Sequence, residues 1–192
     1  MSHKRSKKYE FYALRKEKNE FKRKFLMAGY ISKRLEEQGV KVYVVGGQAV
    51  ELYTVGKVRT GDIDIIATDK EKLVALLSEL GFKQEGIIWL NTNLGIAIHI
   101  VSDSYSGDID RVKKLKIGGY TVTVPSIEEL IINRLVAAKF WKGNTQAELE
   151  QAAMLLGSEK YGAPRIDKEY LTNLAKRNHV EDMLALIYEK VE

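Results

Sequence analysis

Two aspartates alternate with isoleucines in the segment Asp62-Ile63-Asp64-Ile65. In a β-strand, residues i and i+2 share a face, so both carboxylates would lie on one side and both isoleucines on the other. The Cα atoms of the two aspartates would be about 6.6 Å apart, from two rises of about 3.3 Å. Carboxylates at this spacing suit Mg²⁺, which prefers oxygen ligands. The alternative, an ordinary polar strand face, does not explain two aspartates, because Asp is a poor strand former.

A glycine pair, Gly46-Gly47, separates a β-branched segment (41–45) from a segment with helical spacing (48–56). Without Cβ atoms, the backbone of such a turn can approach a ligand and direct its N–H groups at phosphate oxygens. The N-terminus of the following helix adds a favourable partial charge. The same pair also fits a purely structural tight turn, so its interpretation depends on the acidic strand that follows.

The remaining pattern predicts the elements that must position these residues. Apolar spacing predicts one long helix from about Tyr9 to Gln38, which Gly39 ends. Strands are predicted at 41–45, 62–68, 87–90, 96–101 and 119–125, and helices at 48–56 and 69–82. After Pro125 the pattern is helical, and Ser126 with Glu129 predicts a capping box at the start of this region.

These elements predict an α/β (α+β) fold in three parts. A basic N-terminal helix covers residues 1–38, a core covers 39–124, and a helical C-terminal region covers 125–192. Within the core, residues 41–124 are expected to form a mixed sheet, with Asp62 and Asp64 facing the same cleft as the glycine pair.

The order strand, Gly46-Gly47, helix, Asp62-x-Asp64 resembles the signature of the nucleotidyltransferase superfamily. The segment Arg59-Thr60, which leads into the acidic strand, resembles the corresponding segment in a subgroup of small bacterial and archaeal members. That subgroup is itself similar to the abortive-infection nucleotidyltransferases of type IV toxin–antitoxin systems. The segment IEELIINRLVAAKFW also resembles the helix that follows the catalytic core in this subgroup, so the resemblance covers about 40–190.

The resemblance implies a nucleotidyltransferase-type mixed sheet and a metal-dependent reaction. A nucleoside monophosphate would pass from an NTP to a hydroxyl group of RNA, a protein or a small molecule, and pyrophosphate would leave. Asp62 and Asp64 would be catalytic ligands of Mg²⁺ or Mn²⁺, and Gly46-Gly47 would hold the β- and γ-phosphates. Arg59, Thr60 and Lys139 are the further residues predicted to contact the nucleotide.

The family usually places a third carboxylate on a later strand, and the matching position here is His99. A neutral imidazole brings no negative charge and suits Mg²⁺ poorly. Asp103, just past the strand, is a candidate substitute, and His99 also fits an ordinary polar strand position. Three hypotheses therefore stand. The first is an active nucleotidyltransferase, in which His99 is catalytic, and the second is a degenerate member that binds nucleotide or RNA without turnover and serves as a partner-binding module. The third is an α/β scaffold that binds no nucleotide and carries these motifs by accident.

A second Gly-Asp-Ile-Asp string occupies residues 107–110, without a preceding glycine-ended strand. We interpret it as a polar helix start, where Asp is favoured by capping and by the helix dipole.

The composition excludes several classes of protein. The absence of cysteine excludes disulfides and cysteine-ligated zinc. No apolar stretch reaches the roughly 18 residues of a membrane span, and the N-terminus lacks the apolar run of a secretory signal, so we expect a cytoplasmic protein without membrane contact. The net charge of +5 is concentrated near the N-terminus. This basic helix is either a solvated face or a contact surface for RNA or an acidic protein.

Overall fold

The structure of the protein is a computed structural model that describes residues 11, 14–141 and 143–191. Within these residues, the chain forms two compact units. The first contains the described parts of Met1–Gln48 and Thr60–Val124, and the second contains those of Ala49–Arg59 and Pro125–Glu192. None of the helices in the described ranges is long and apolar enough to cross a membrane.

Helix α1 of the first unit spans Glu20–Glu36. It begins there because the side chain of Asn19 accepts a hydrogen bond from the N–H of Lys22 at 2.9 Å, which caps the first turn. The prediction of one continuous helix is therefore wrong around residues 15–19, where the chain forms turns and loop. The predicted start near Tyr9 lies outside the described residues.

The main sheet of the first unit is mixed, as predicted. Its strands are β1 (Val42–Val45), β2 (Asp62–Ala67), β3 (Lys83–Glu85), β4 (Ile88–Asn91) and β5 (Ile96–Ser102). They lie in the order β1-β2-β5-β4-β3, with β2 and β5 parallel and the other neighbours antiparallel. The two apolar residues between and after the aspartates, Ile63 and Ile65, are fully buried, which leaves the opposite face of β2 to Asp62 and Asp64.

Two helices connect these strands. Helix α2 (Gly46–Tyr53) follows β1 directly, and helix α3 (Lys70–Glu79) follows β2 with Asp69 as its N-cap. Helix α2 starts two residues earlier than predicted, at the glycine pair itself. Its first residues belong to the first unit, and the chain enters the second unit at Ala49.

Residues 41–124 do not form one sheet, contrary to our expectation. Strand β6 (Lys113–Ile117) pairs with β7 (Tyr120–Val124) in a separate antiparallel hairpin. Strand β6 carries three lysines, so its apolar alternation is weak and the sequence pattern does not predict a strand there. Helix α1 packs against β7 and β1, which makes it part of this unit's core.

The second unit contains helices α4 (Ile127–Phe140), α5 (Thr145–Leu156), α6 (Lys168–Arg177) and α7 (Glu181–Val191). Helix α4 opens with the predicted capping box, in which Ser126 and Glu129 exchange side-chain to backbone hydrogen bonds. The residues 49–59 join this unit, and the hydroxyl of Tyr53 donates to the carbonyl of Pro125 at 2.9 Å.

Candidate active site

The glycine turn and the acidic strand meet at Asp64. Val45, the last residue of β1, is the antiparallel partner of Asp64, so the turn begins beside this carboxylate. The N–H of Gly47 donates to Oδ2 of Asp64 at 3.2 Å. Gly46 has a φ of +56°, and a Cβ atom there would collide with the Asp64 carboxylate. Gly46 is therefore required for both its backbone conformation and the close approach of Asp64.

Thr60 links the turn to the other aspartate. Its hydroxyl donates to Oδ1 of Asp62 at 3.4 Å. A Cβ atom on Gly47 would lie 2.8 Å from the Thr60 hydroxyl oxygen, closer than real contacts allow. Thr60 thus packs on Gly47 and touches Asp62, and the second glycine is needed for this packing.

His99 reaches the aspartates from the neighbouring strand. In the parallel pairing of β2 with β5, His99 is the register partner of Asp64. Nδ1 of His99 lies 3.1 Å from Oδ1 of Asp64. The His99 side chain is about one-third exposed and that of Asp64 less than one-fifth, so the pair lies at the edge of the core with access to solvent.

The electrostatics of the cluster favour a cation. Burial raises the pKa of the Asp64 carboxyl above its ordinary value, and the neighbouring Asp62 carboxylate raises that pKa further. Hydrogen bonds from His99 and Gly47 oppose the rise. A buried carboxylate whose charge is destabilised in this way is stabilised by a positive ion placed beside it.

The donor set fits a divalent metal ion. Within the described ranges, one group of three side chains could hold a metal: Asp62, Asp64 and His99, whose ligand atoms all lie within 4.8 Å of one another. Two carboxylate oxygens suit Mg²⁺, whereas the imidazole nitrogen suits Mn²⁺ and later transition metals better. Asp103, the candidate substitute for His99, is not in this group and instead lines a surface pocket with Thr68 and Lys70.

The other predicted nucleotide contacts, Arg59 and Lys139, belong to the second unit. Arg59 is exposed. Nζ of Lys139 lies 2.7 Å from Oδ1 of Asp182 and donates to the carbonyl of His179 at 2.8 Å. A phosphate bound by Lys139 would therefore compete with Asp182.

The sequence interpretation missed Lys24. It is one of the basic residues of the N-terminal helix, which the sequence predicts to form a solvated face or a contact surface, but its side chain is buried, with only 2% exposed. The signal was present in the spacing: Met27, Ala28 and Ile31, at i+3, i+4 and i+7 from Lys24, are buried on the same helical stripe. The more N-terminal basic residues, up to Lys8, lie outside the described residues.

Comparison with known proteins identifies the family and the fold of the chain. The fold is that of a nucleotidyltransferase-like protein. The sequence profile of a family described as "Nucleotidyltransferase of unknown function (DUF6036)" matches residues 27–146, more than half of the chain. The protein belongs to this family, and its predicted membership of the nucleotidyltransferase superfamily is confirmed.

A solved structure supports the fold assignment. An antigenic nucleotidyltransferase-like protein from Paracoccidioides brasiliensis is similar over 83% of this chain and 90% of its own, with a TM-score of 0.55 and 16% sequence identity. At this identity the likeness concerns the fold alone. A search of curated proteins gave no significant match.

Proposed function

We propose that the protein transfers a nucleoside monophosphate from an NTP to a hydroxyl acceptor, using a divalent cation held by Asp62, Asp64 and His99. The observation that carries this proposal is the convergence of these three side chains beside the glycine turn. Their ligand atoms lie within 4.8 Å of one another, and the Gly47 N–H already contacts one of the carboxylates. Membership of a nucleotidyltransferase family supports the same reaction class.

Each residue has a distinct task in this proposal. A cation bound here would neutralise charge on the triphosphate and on the acceptor oxygen. Asp62 and Asp64 supply oxygen ligands, and His99 supplies nitrogen. The N–H of Gly47 donates to Asp64, so a phosphate oxygen that takes this donor must replace the carboxylate oxygen. Catalysis by the protein is then mainly the positioning of charged groups.

The nitrogen ligand leads us to propose Mn²⁺ as the better-supported cation. A cluster of two carboxylates and a neutral imidazole carries a charge of −2, where a third carboxylate would make it −3. Imidazole is a good ligand for transition metals, whereas Mg²⁺ demands oxygen. We therefore expect binding and turnover to be stronger with Mn²⁺ than with Mg²⁺ at equal concentration.

The test uses each α-labelled NTP with Mn²⁺ or Mg²⁺, with and without total tRNA. Labelled tRNA identifies an RNA acceptor, labelled protein identifies self-modification or a protein acceptor, and release of pyrophosphate reports any hydroxyl acceptor. A parallel melting experiment measures binding: NTP–metal at 100 times its Kd should stabilise the protein by about 2.7 kcal/mol. Stabilisation without transfer would favour the degenerate, binding-only member. The absence of both stabilisation and transfer would exclude the active enzyme and the binding-only member alike.

The nucleotide contacts of Arg59, Thr60 and Lys139 belong to the same proposal. Arg59→Gln and Lys139→Gln should raise the KM for NTP if these side chains contact phosphate, because each removes one positive charge. A toxin–antitoxin role, from the similarity to abortive-infection nucleotidyltransferases, predicts growth arrest on expression of the intact chain. That arrest should be absent with Asp64→Asn.

A further inference from the structure

A buried lysine lies next to the candidate active site. Lys24, in the first turns of α1, is 2% exposed. Its Nζ donates to the carbonyl oxygen of Thr60 at 2.6 Å and lies 3.8 Å from the carboxylate of Glu20. Burial of an ammonium group is costly unless the group is hydrogen-bonded and paired. The short bond to Thr60 therefore ties a point on the core helix to a loop 36 residues further along the chain.

Thr60 connects Lys24 to the candidate active site. Its side chain packs on Gly47, and its hydroxyl touches Oδ1 of Asp62. The intervening residue, Gly61, has no atom near its Cα on the side where a Cβ would point, so side-chain packing does not hold it. The carbonyl contact with Lys24 thus restrains the backbone immediately before Asp62.

We propose that Lys24 is a positioning residue: by holding the Thr60 carbonyl it fixes Asp62 and the glycine turn for the cation. This inference rests on the proposed function for the role of the cation, but the restraint on Thr60 can be measured without it. Groups that orient a metal ligand typically change metal affinity by about 10- to 100-fold when they are removed. We expect an effect of that size here.

The main test compares Lys24→Met with Lys22→Met. Methionine fills much of the lysine volume but cannot donate to Thr60. Lys22 is on the same helix but half exposed, and it pairs with Glu17 away from the site, so it controls for loss of a lysine. Two readouts are taken on the full chain: hydrogen exchange of the amides at 57–62, and Mn²⁺ affinity from the EPR signal of free Mn²⁺.

Lys24→Met should speed exchange at 57–62 by about tenfold and weaken Mn²⁺ binding by about 10- to 100-fold, whereas Lys22→Met should change neither. Lys24→Arg, which keeps the charge and the donors, should restore most of the affinity. If Lys24→Met does not fold, Lys24→Gln replaces it, because its shorter neutral side chain loses the contact without leaving an apolar chain. Circular dichroism confirms the fold of each variant.

A double-mutant comparison separates positioning from general loosening. In a Thr60→Ala background, the side chain that touches Asp62 and Gly47 is absent, so Lys24→Met should cost much less Mn²⁺ affinity than in the wild type. Equal losses in both backgrounds would overturn the inference. Unchanged exchange at 57–62, or faster exchange with unchanged Mn²⁺ affinity, would overturn it as well. If the wild type binds neither Mn²⁺ nor Mg²⁺, the proposed function fails, and with it the cation role of Lys24. The exchange data alone then decide whether Lys24 restrains Thr60.

Discussion

The string Gly-Asp-Ile-Asp occurs at residues 61–64 and again at 107–110, and the two copies fold differently. The first runs into β2, an interior strand between β1 and β5, where Ile63 is fully buried. The second opens a short 3₁₀ helix (Ile109–Arg111), and Ile109 is 55% exposed. The same four residues therefore form a core strand in one place and a surface turn in the other.

The aspartates differ accordingly. In the first copy, Asp62 and Asp64 project to one face and meet His99 and the glycine turn. In the second copy, Asp108 caps the short helix by accepting from the N–H of Asp110 at 3.0 Å, and both side chains are exposed. The surroundings of the two aspartates decide what they can do. An acidic pair becomes a candidate metal site only where a third ligand lies beside it and the backbone of another segment packs closely against it.

The variant with the largest expected effect tests the difference between the two copies directly. Asp62→Asn with Asp64→Asn should remove Mn²⁺ binding and nucleotide transfer, because the cluster loses both of its anionic ligands. Asp108→Asn with Asp110→Asn is the matched control and should leave both unchanged, since Asn caps a helix as well as Asp does. Mn²⁺ affinity and labelled NTP transfer are measured for both. Unchanged binding in the first variant would place the metal site elsewhere.

The contrast also shows what the sequence could predict. The shared face of Asp62 and Asp64 follows from the period of two in a strand, and the absence of a glycine-ended strand before 107–110 separated the second copy. Local pattern alone does not predict the register that places His99 opposite Asp64, because β5 pairs with β2 across two intervening strands of the sequence; the prediction of His99 came from the family resemblance. That pairing depends on packing of the whole sheet, which local pattern does not encode.

Lys24 and β6 were missed for a related reason. The count of basic residues predicts a solvated face or a contact surface that includes Lys24, although the position of Lys24 on the apolar stripe of α1 indicates burial. Lysine-rich β6 has little alternation of its own and is a strand because β7 supplies its partner. In both cases tertiary contacts outweigh the local character of the residues.

The variant with the next largest expected effect tests the close contact between the Gly46 backbone and the Asp64 carboxylate. Gly46→Ala should cost about 1–2 kcal/mol of stability, because a residue with a Cβ is strained at a positive φ. It should also weaken Mn²⁺ binding, since the new methyl group displaces the Asp64 carboxylate. Gly61→Ala is the control, because a Cβ there enters open space. Melting curves and Mn²⁺ titration are compared, and equal behaviour of the two variants would argue against the required approach.

The third prediction concerns the ligand that distinguishes this cluster. His99→Asp should shift the metal preference from Mn²⁺ toward Mg²⁺, because an oxygen ligand and a further negative charge replace nitrogen. The ratio of Mn²⁺- to Mg²⁺-supported transfer, or of the two affinities where transfer is absent, is the measurement. His99→Ala serves as control: it should weaken both metals, Mn²⁺ more than Mg²⁺, without the gain in Mg²⁺ binding or Mg²⁺-supported transfer that is expected of His99→Asp. No change of ratio in His99→Asp would place His99 outside the metal shell.

The smallest expected effect concerns the stability of the metal-free protein. Burial and Asp62 raise the pKa of Asp64 in the folded state, so the fold favours the protonated carboxyl. The stability contributed by protonation is complete below the unfolded-state pKa and is lost as pH rises through the raised folded-state pKa. Asp64→Asn, which stays neutral, can still accept from the Gly47 N–H through its amide oxygen.

In EDTA, Asp64→Asn should therefore melt at nearly the wild-type temperature at acidic pH and at a higher temperature near pH 8, with the gap opening as Asp64 ionises in the wild type. For a chain of this length, each 1 kcal/mol corresponds to about 2–4 °C in Tm. Asp108→Asn, on the exposed copy of the string, should change stability by less than about 0.5 kcal/mol across the range. Added Mn²⁺ should reverse the order, because the wild type gains binding energy that Asp64→Asn cannot. A gap between Asp64→Asn and the wild type that is constant with pH would show that ionisation of Asp64 does not destabilise the fold.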